Sequence, residues 1–88
     1  MKTILKKILP QYFELILSGK KKYELRLNDF EVEEGDTLIL KEWNPDNKQY
    51  TGREISKKVT LVHKFYIDKL FWSKEEILEN GLQIISIE

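Results

Sequence analysis

The segment from Ser18 to Arg26 contains three lysines, a glutamate and an arginine directly after a glycine. Glu24 and Arg26 are two residues apart, so on a β-strand their side chains would lie on the same face. An arginine in that position can bind a phosphate or a carboxylate through two parallel hydrogen bonds. A lysine and a carboxylate that face one cleft, here Lys21 and Glu24, could also transfer protons as general acid and base. The segment therefore predicts a charged site for an anionic ligand, with or without catalysis.

A purely structural interpretation of the same residues stays open. Lys22, Glu24 and Arg26 could form a charge ladder on the solvent side of a strand, where each pair contributes ~0.2–1 kcal/mol. Lys21 has the opposite parity to Glu24 on a regular strand. Both side chains can reach one cavity only if the strand begins after Lys21 or if the chain twists there.

Local sequence signals predict the elements that position these residues. Pro10 suits the first turn of a helix, and Gly19 suits the position that follows its end. Ser73 and Glu76 have the spacing of a capping box, which marks the start of a second helix. Alternating apolar and polar residues predict the strands. The predicted elements are a strand at Thr3–Ile8, a helix at Pro10–Ser18, strands at Lys22–Leu27 and Thr37–Trp43, a long β-like run with a bend at Glu54–Tyr66, a helix at Lys74–Glu79 and a strand at Leu82–Ile87.

These elements predict an α+β fold that is mainly β. The 88 residues suffice for one domain, residues 1–88, with a single small core. About five to six strands and two short helices are too few for a two-sheet sandwich of full size, and closure of the sheet would remove its exposed edges. We therefore expect a small mixed β-barrel.

The composition bears on which kinds of site the chain can form. It has no cysteine, which removes disulfides and thiolate metal ligands. His63 is the only histidine and shares parity with Val59, Leu61 and Phe65, so we expect it in the core and expect neither a metal nor a cofactor. Basic and acidic residues balance at 15 each, so a site for a polyanion must be a local patch. Residues 1–9 lack the long apolar run of a secretion signal or membrane span, which favours the cytoplasm and no membrane partner.

A second candidate feature is the tetrapeptide YTGR at residues 50–53, in a predicted connection between strands. There Tyr50 could stack on a base and Arg53 could pair with a phosphate. The alternative is a β-turn in which Gly52 supplies a positive φ and Tyr50 covers the end of the barrel. Trp43 allows two similar interpretations, as a packing residue at the rim or as a platform for a base.

Several of these motifs together resemble the signature of the ASCH domains, which belong to the PUA-like superfamily. The first motif is Gly19-x-Lys21-x-x-Glu24-x-Arg26, followed by Gly35-Asp36 and an apolar strand. The others are Leu5-Lys6, Pro10-x-Tyr12-Phe13, Glu42-Trp43-Asn44-Pro45 and Tyr50-Thr51-Gly52-Arg53. Together they cover nearly the whole chain and are similar to a small bacterial and phage branch of that superfamily.

The resemblance implies a PUA-like β-barrel with a cleft beside the helix, in a protein that binds RNA or modified nucleosides. Our first hypothesis is therefore a binding module with a charged cleft and at least one aromatic ring beside it. The residues expected to line this cleft are Lys21, Glu24, Arg26 and Arg53, with Trp43 or Tyr50.

Two alternatives come from other functional classes. The chain also resembles small ASCH hydrolases that remove an acetyl group from a modified cytidine with a lysine, a threonine and a glutamate. Lys21 matches that lysine, which implies a metal-independent hydrolase of RNA or of a modified nucleoside that uses Lys21 and Glu24. However, Glu24 holds the position of the threonine, so Thr51 or Thr60 would have to supply the hydroxyl nucleophile. The third hypothesis is a module that recognises a protein partner through its aromatic rim.

Overall fold

The computed structural model describes residues 1–85. Its elements in chain order are β1 (Thr3–Ile8), α1 (Pro10–Leu17), β2 (Thr37–Asn44), β3 (Gln49–Lys58), a short 3₁₀ turn (Ile67–Lys69) and α2 (Lys74–Asn80). The fold is α+β with more strand than helix, which confirms the predicted class.

The three strands form one mixed sheet with β2 in the centre. β1 runs parallel to β2, with Thr3 opposite Thr37 and Ile8 opposite Glu42. β3 runs antiparallel to β2. Because parallel neighbours need a crossover connection, the chain must leave the sheet after β1 and return at β2. α1 and residues 18–36 form this crossover, and the charged segment of the sequence analysis is part of it.

α1 covers one face of the sheet, and its ends follow local rules. Pro10 occupies the start of the helix, where its missing N–H has no intrahelical partner to lose. Gly19 follows the last turn with a φ of 81°, the left-handed conformation predicted for it. The core between helix and sheet consists of Ile8, Phe13, Ile16 and Leu40, with Leu38 and Ile55 packed against them.

Asp36 fastens the beginning of the sheet. Its buried carboxylate accepts hydrogen bonds from the backbone N–H groups of Lys2 (3.0 Å) and Glu33 (2.9 Å), and the ammonium of Lys2 lies 3.3 Å from it. The two backbone donors hold the pKa of Asp36 below its usual value, although burial acts in the opposite direction. Asp36 therefore ties the N-terminus to the turn before β2, a role that the motif Gly35-Asp36 does not reveal in the sequence.

Three predicted strands differ in the structure. Residues 22–27 have no regular secondary structure, and the run predicted at Glu54–Tyr66 is wrong beyond Lys58, because β3 extends from Gln49 to Lys58. Residues 82–85 are not a strand, and residues 86–87 of the predicted last strand lie outside the described part of the chain. Residues 1–85 thus form a three-stranded sheet and not the expected closed barrel of five to six strands. The alternation of side chains is present in these segments, but it does not supply the neighbouring backbone that a strand requires.

The prediction of a core histidine is wrong. His63 is exposed, and so are Leu61 and Phe65, which share its parity. Its ring meets that of Phe65 edge to face at 6.1 Å between centroids. The sheet ends before this segment, so an alternating pattern there no longer places one set of side chains against α1.

Much of the apolar surface lies outside the small core. The Cα radius of gyration is 15.0 Å, compared with ~12 Å for a compact chain of this length. Among residues 1–85, no helix is long and apolar enough to cross a membrane. The large apolar side chains that are exposed beyond β3 are Leu61, Phe65, Tyr66, Ile67, Phe71, Trp72, Leu78, Leu82, Ile84 and Ile85.

Candidate functional site

A cleft of about 500 Å³ lies beside the outer edge of β1 and the start of α1. The crossover segment forms its charged side, and two apolar residues near the C-terminus contribute to its lining. The residues that line it are Lys7, Ile8, Leu9, Tyr12, Lys21, Tyr23, Glu24, Leu25, Arg26, Leu82 and Ile84.

Lys21, Glu24 and Arg26 meet in this cleft, and we call them the charged triad. The ammonium of Lys21 donates to Oε1 of Glu24 at 2.7 Å. Nε of Arg26 donates to Oε2 of the same carboxylate at 2.9 Å, and its Nη2 lies 2.8 Å from that oxygen. The side chains of Lys21 and Glu24 are only 12% and 15% exposed, compared with 30% for Arg26. One carboxylate thus lies between two cations, partly screened from water.

The local backbone explains how Lys21 reaches Glu24 despite their opposite parity. Residues 21–27 are not a regular strand, so strand parity does not apply to them. The backbone N–H of Lys21 donates to the carbonyl of Leu15 in α1 at 3.0 Å. The Lys21 ammonium then turns back and donates to the carbonyl of Tyr23 at 2.8 Å. The chain therefore folds around the ammonium, and no strand begins after Lys21.

Arg26 also contacts the outer edge of the sheet. Its Nη2 donates to the backbone carbonyl of Lys7 in β1 at 2.9 Å. The predicted strand at residues 22–27 would have satisfied this edge with backbone hydrogen bonds, whereas here a guanidinium satisfies one carbonyl. Because a side chain and not a paired strand contacts this edge, a space remains between β1 and the crossover segment. That space is the cleft.

Two tyrosine rings lie beside the triad. The ammonium of Lys21 is 4.6 Å from the ring centroid of Tyr23 and 5.7 Å from that of Tyr12. Both distances are within the range of cation–π attraction. Tyr12 belongs to the motif Pro10-x-Tyr12-Phe13, but the sequence analysis did not propose it as a site residue.

The structure places Arg53 in a different cluster, around the buried Glu42. Nε and Nη2 of Arg53 donate to the two carboxylate oxygens of Glu42 at 2.9 Å and 2.8 Å, which is a bidentate pair. The hydroxyl of Thr51 donates to Oε1 of Glu42 at 2.6 Å. Arg53 also pairs with Glu14 of α1, and its guanidinium lies 4.6 Å from the ring centroid of Phe13.

These contacts set the ionisation of the cluster. The hydrogen bonds from Arg53 and then from Thr51 hold the pKa of Glu42 below its usual value, although burial opposes them. Glu42, and to a smaller extent Glu14, raise the pKa of Arg53 above its already high value. Glu42 is therefore a buried carboxylate that stays ionised because two donors hold it.

The tetrapeptide at residues 50–53 forms an irregularity inside β3 and not the predicted connection between strands. The register shifts between Lys41 and Trp43, and Gly52 has a φ of 94° at this point. A positive φ at Gly52 belonged to the β-turn alternative; the positive φ is present, but inside β3 and not in a turn between strands. The shift allows Thr51 and Arg53 to reach the same carboxylate.

Trp43 and Tyr50 are cross-strand neighbours and make other contacts. Their ring centroids are 4.9 Å apart in an edge-to-face arrangement. Neither residue lines the cleft, and nor does Arg53. The structure thus brings three of the six sequence-predicted site residues together and separates Arg53, Trp43 and Tyr50 from them.

Glu42 and Asp36 are the buried acidic residues that the sequence analysis missed as individual groups. For Glu42 a signal existed. It has the same parity as Leu38 and Leu40 in the strand TLILKEWN, so it had to lie on the core face and needed a cationic partner.

No cluster of three or more acidic or histidine side chains that could hold a metal ion occurs in residues 1–85. The charged triad contains one carboxylate, and both of its oxygens already accept hydrogen bonds from cations. The arrangement suits an anionic or hydrogen-bonding organic ligand better than a cation.

Comparison with known families bears on the whole region from β1 to the start of α2. The sequence model of a family described as "Domain of unknown function (DUF3850)" matches residues 5–74. The chain belongs to this family. The match includes the charged triad and the Glu42–Arg53 cluster, whereas Leu82 and Ile84 of the cleft lie beyond it. The family description specifies no ligand, so the ASCH resemblance stays a prediction.

The chain is also similar to a protein that comes from a phage. The chain is 45% identical over 56 residues to the "Uncharacterized 12.9 kDa protein in GpA 3'region" of Escherichia phage P2. The aligned part is 64% of this chain and 50% of the phage P2 protein, so the chain spans about half the length of that relative. No solved structure matches the chain.

Proposed function

We propose that this protein is an ASCH-like module that binds RNA or a nucleoside-sized ligand in the cleft of the charged triad. The observation that supports it is the position of the Glu24 carboxylate between Lys21 and Arg26, at the side of a cleft with two tyrosine rings. The proposal includes a PUA-like relationship, a barrel completed by further strand pairing, and a cytoplasmic location.

The dimensions of the cleft agree with such a ligand. Its volume of about 500 Å³ falls within the roughly 300–1,000 Å³ of small-molecule sites. Tyr12 and Tyr23 offer aromatic surface to a base, which is how single-stranded RNA is commonly held. Leu25 and the two apolar residues near the C-terminus supply the apolar remainder of the wall.

The charges favour an anionic group on the ligand. Lys21 and Arg26 together carry one positive charge more than the single carboxylate of Glu24 between them. The hydrogen bonds of Arg26 to Glu24 and to Lys7 use Nε and Nη2, so Nη1 can donate to a phosphate oxygen without breaking the triad. Arg53 leaves the proposed set of ligand contacts, because its guanidinium already binds Glu42 and Glu14.

Arg26→Ala is expected to weaken binding of a short single-stranded RNA about tenfold and to reduce the slope of log affinity against log salt by about 1, because one phosphate contact is lost. Arg26→Lys should keep most of the salt dependence while losing the hydrogen bonds of Nε to Glu24 and of Nη2 to Lys7. Isothermal titration calorimetry at two salt concentrations, with a nucleoside monophosphate and an octanucleotide, measures both quantities.

Lys64→Ala is the matched control, since it removes one positive charge from an exposed residue outside the cleft. Equal affinities for the Arg26→Ala and Lys64→Ala variants would contradict the cleft as the binding site. Affinity that scarcely changes with salt would favour recognition of a protein partner.

A hydrolase is the second candidate, and the direct contact between Lys21 and Glu24 favours it. A hydrogen bond of 2.7 Å between an ammonium and a carboxylate permits proton transfer to and from a bound substrate. Thr51 cannot serve as the nucleophile of this pair without leaving Glu42, to which its hydroxyl donates.

Under this second candidate, Glu24→Gln and Lys21→Met should each lower turnover of RNA or of an N-acylated cytidine by about 10²- to 10⁴-fold. Substrate affinity should change much less, because the tyrosines and Arg26 remain. Lys20→Met is the neighbouring control, since Lys20 does not line the cleft. Turnover at the wild-type rate in both variants would exclude these two residues as the catalytic pair.

A further inference from the structure

The face of the sheet opposite α1 carries a second group of aromatic and basic residues. Trp43 and Tyr50 lie in edge-to-face contact on this face. The ammonium of Lys7 lies 3.9 Å from the ring centroid of Trp43, and that of Lys41 lies 4.9 Å from that of Tyr50. We call these four residues the aromatic–lysine surface. Tyr50 is 50% exposed, so a ligand can reach its ring.

We propose that the aromatic–lysine surface binds the bases of a single-stranded nucleic acid that extends from the cleft. This inference rests on the proposed function, because the first nucleotide is the one held by the charged triad. It adds a second contact region on another face of the sheet, and it predicts that the ligand is an oligonucleotide rather than a single nucleoside.

The charge of this face favours a polyanion over an apolar partner. Among the described strands, β1 to β3, the register places three lysines on this face, Lys7, Lys41 and Lys58, and one acidic residue, Glu54. An apolar partner would have to bury these ammonium groups without compensation. A nucleic acid strand supplies phosphates for the lysines and bases for the rings.

Lysines over the two rings do not prevent a base from stacking there. A cation–π contact at an exposed site is worth roughly a 2- to 5-fold effect on an equilibrium, whereas stacking of one base on an aromatic side chain is worth roughly 5- to 150-fold. A base can therefore displace Lys41 from Tyr50. The released ammonium then lies next to the backbone of the same nucleotide, where it can bind a phosphate.

Lys7 connects this surface to the cleft. Its backbone carbonyl accepts the hydrogen bond from Arg26 at the side of the cleft, and its ammonium lies over Trp43. One residue of β1 thus separates the two contact regions. A single-stranded nucleic acid bound at the charged triad needs to pass only the outer edge of β1 to reach Trp43.

The test uses the full chain in a Trp72→Phe background, so that Trp43 is the only tryptophan. Emission of Trp43 and affinity are measured with a nucleoside monophosphate, a dinucleotide, a tetranucleotide and an octanucleotide, each as RNA and as DNA. We expect affinity to rise with length, and quenching of Trp43 only with the oligonucleotides. Tyr50→Ala should lose roughly 5- to 150-fold of the octanucleotide affinity without changing the monophosphate affinity.

Two substitutions separate stacking from an effect on folding. Tyr50→Phe keeps the aromatic ring and should retain wild-type affinity for the octanucleotide. Tyr66→Ala removes an exposed tyrosine of another segment and should have no effect. Tighter binding of RNA than DNA assigns the surface to RNA, and equal binding assigns it to single strands of either sugar.

Octanucleotide binding by Tyr50→Ala at wild-type affinity, or unchanged Trp43 emission at saturation, would overturn the inference while leaving binding in the cleft intact. A further result distinguishes binding in the cleft from binding on the aromatic–lysine surface. If the monophosphate does not bind and Arg26→Ala has no effect, but the octanucleotide quenches Trp43, the proposed cleft is wrong and the aromatic–lysine surface stands as a separate site.

Discussion

A variant that combines Arg53→Met with Thr51→Val, and so removes both donors to Glu42, should become more stable as the pH falls from 7 to 5, whereas the wild-type protein should not. In the wild type the pKa of Glu42 lies below its usual value near 4.5. Glu42 therefore contributes stability that is fully present above that value and is lost as the pH falls through the lower pKa of the folded state. In the variant the hydrogen bonds from both donors that lower this pKa are absent, so burial raises the pKa instead. Protonation of Glu42 then relieves an uncompensated buried charge, so stability increases with acid.

The size of the effect at neutral pH follows from the burial of Glu42, whose side chain is only 5% exposed. Breaking a buried ion pair by removing one partner leaves the other charge without compensation, and we expect a fall in Tm of roughly 10 °C or more at pH 7. Methionine retains much of the aliphatic stem that accompanies the contact with Phe13. Thermal unfolding followed by circular dichroism at pH 7 and pH 5 measures both the fall and its reversal.

Two further variants show whether Glu42 is the group that responds. Glu42→Gln combined with Arg53→Met and Thr51→Val removes the buried charge, so the gain of stability in acid should disappear. Glu14→Gln removes the exposed partner of Arg53 and should change Tm little at either pH. An Arg53→Met protein with wild-type Tm but weaker nucleic acid binding would return Arg53 to the ligand site.

The signals that predict the two helices lie within a few residues of the structure they specify. Pro10 and Gly19 mark the two ends of α1, and the structure has the helix between them. Ser73 and Glu76 form both hydrogen bonds of the capping box, at 3.0 Å and 3.1 Å. Each of these signals depends on local geometry alone, so a single sequence is enough to read it.

Pairing of strands depends on residues far apart, and the alternating pattern does not record it. Residues 22–27 alternate as a strand does, but Arg26 satisfies the carbonyl of Lys7 with its side chain and no backbone ladder forms. The same pattern near His63 continues after β3 has ended. Alternation shows which side chains share a face, whereas a sheet also needs a neighbouring backbone at hydrogen-bonding distance.

The candidate site shows the same division. Lys21, Glu24 and Arg26 are close in sequence and meet in the cleft as the segment predicts. Arg53 is 11 residues from the carboxylate that holds it. Its position depends on the register of β2 and β3, which the motif alone does not fix. The sequence signal for the Glu42–Arg53 pair was that Glu42 alternates in step with Leu38 and Leu40 of β2, which places it on the core face.

Leu40→Ala should leave the protein largely unfolded at 37 °C. Leu40 is 1% exposed and belongs to a core that, within residues 1–85, has only four buried apolar side chains. A buried leucine replaced by alanine costs ~2–5 kcal/mol, while a chain of this length has a total free energy of unfolding of about 4–13 kcal/mol. The upper end of the first range exceeds the lower end of the second. We expect Leu40→Ala to lie in this overlap, because few other core contacts would remain to hold the fold. Urea unfolding followed by circular dichroism gives the difference in free energy.

Leu61→Ala provides the matched control, since it removes the same atoms from a side chain that is 72% exposed. Its cost should stay within about 0.5 kcal/mol, as for other surface substitutions. A cost equal to that of Leu40→Ala would contradict the small core and mean that the apolar residues beyond β3 are covered in solution. Repeating the measurement at several protein concentrations then shows whether another copy of the chain packs against these residues. A cost that grows with concentration requires a second copy of the chain, because only an intermolecular contact makes unfolding concentration-dependent.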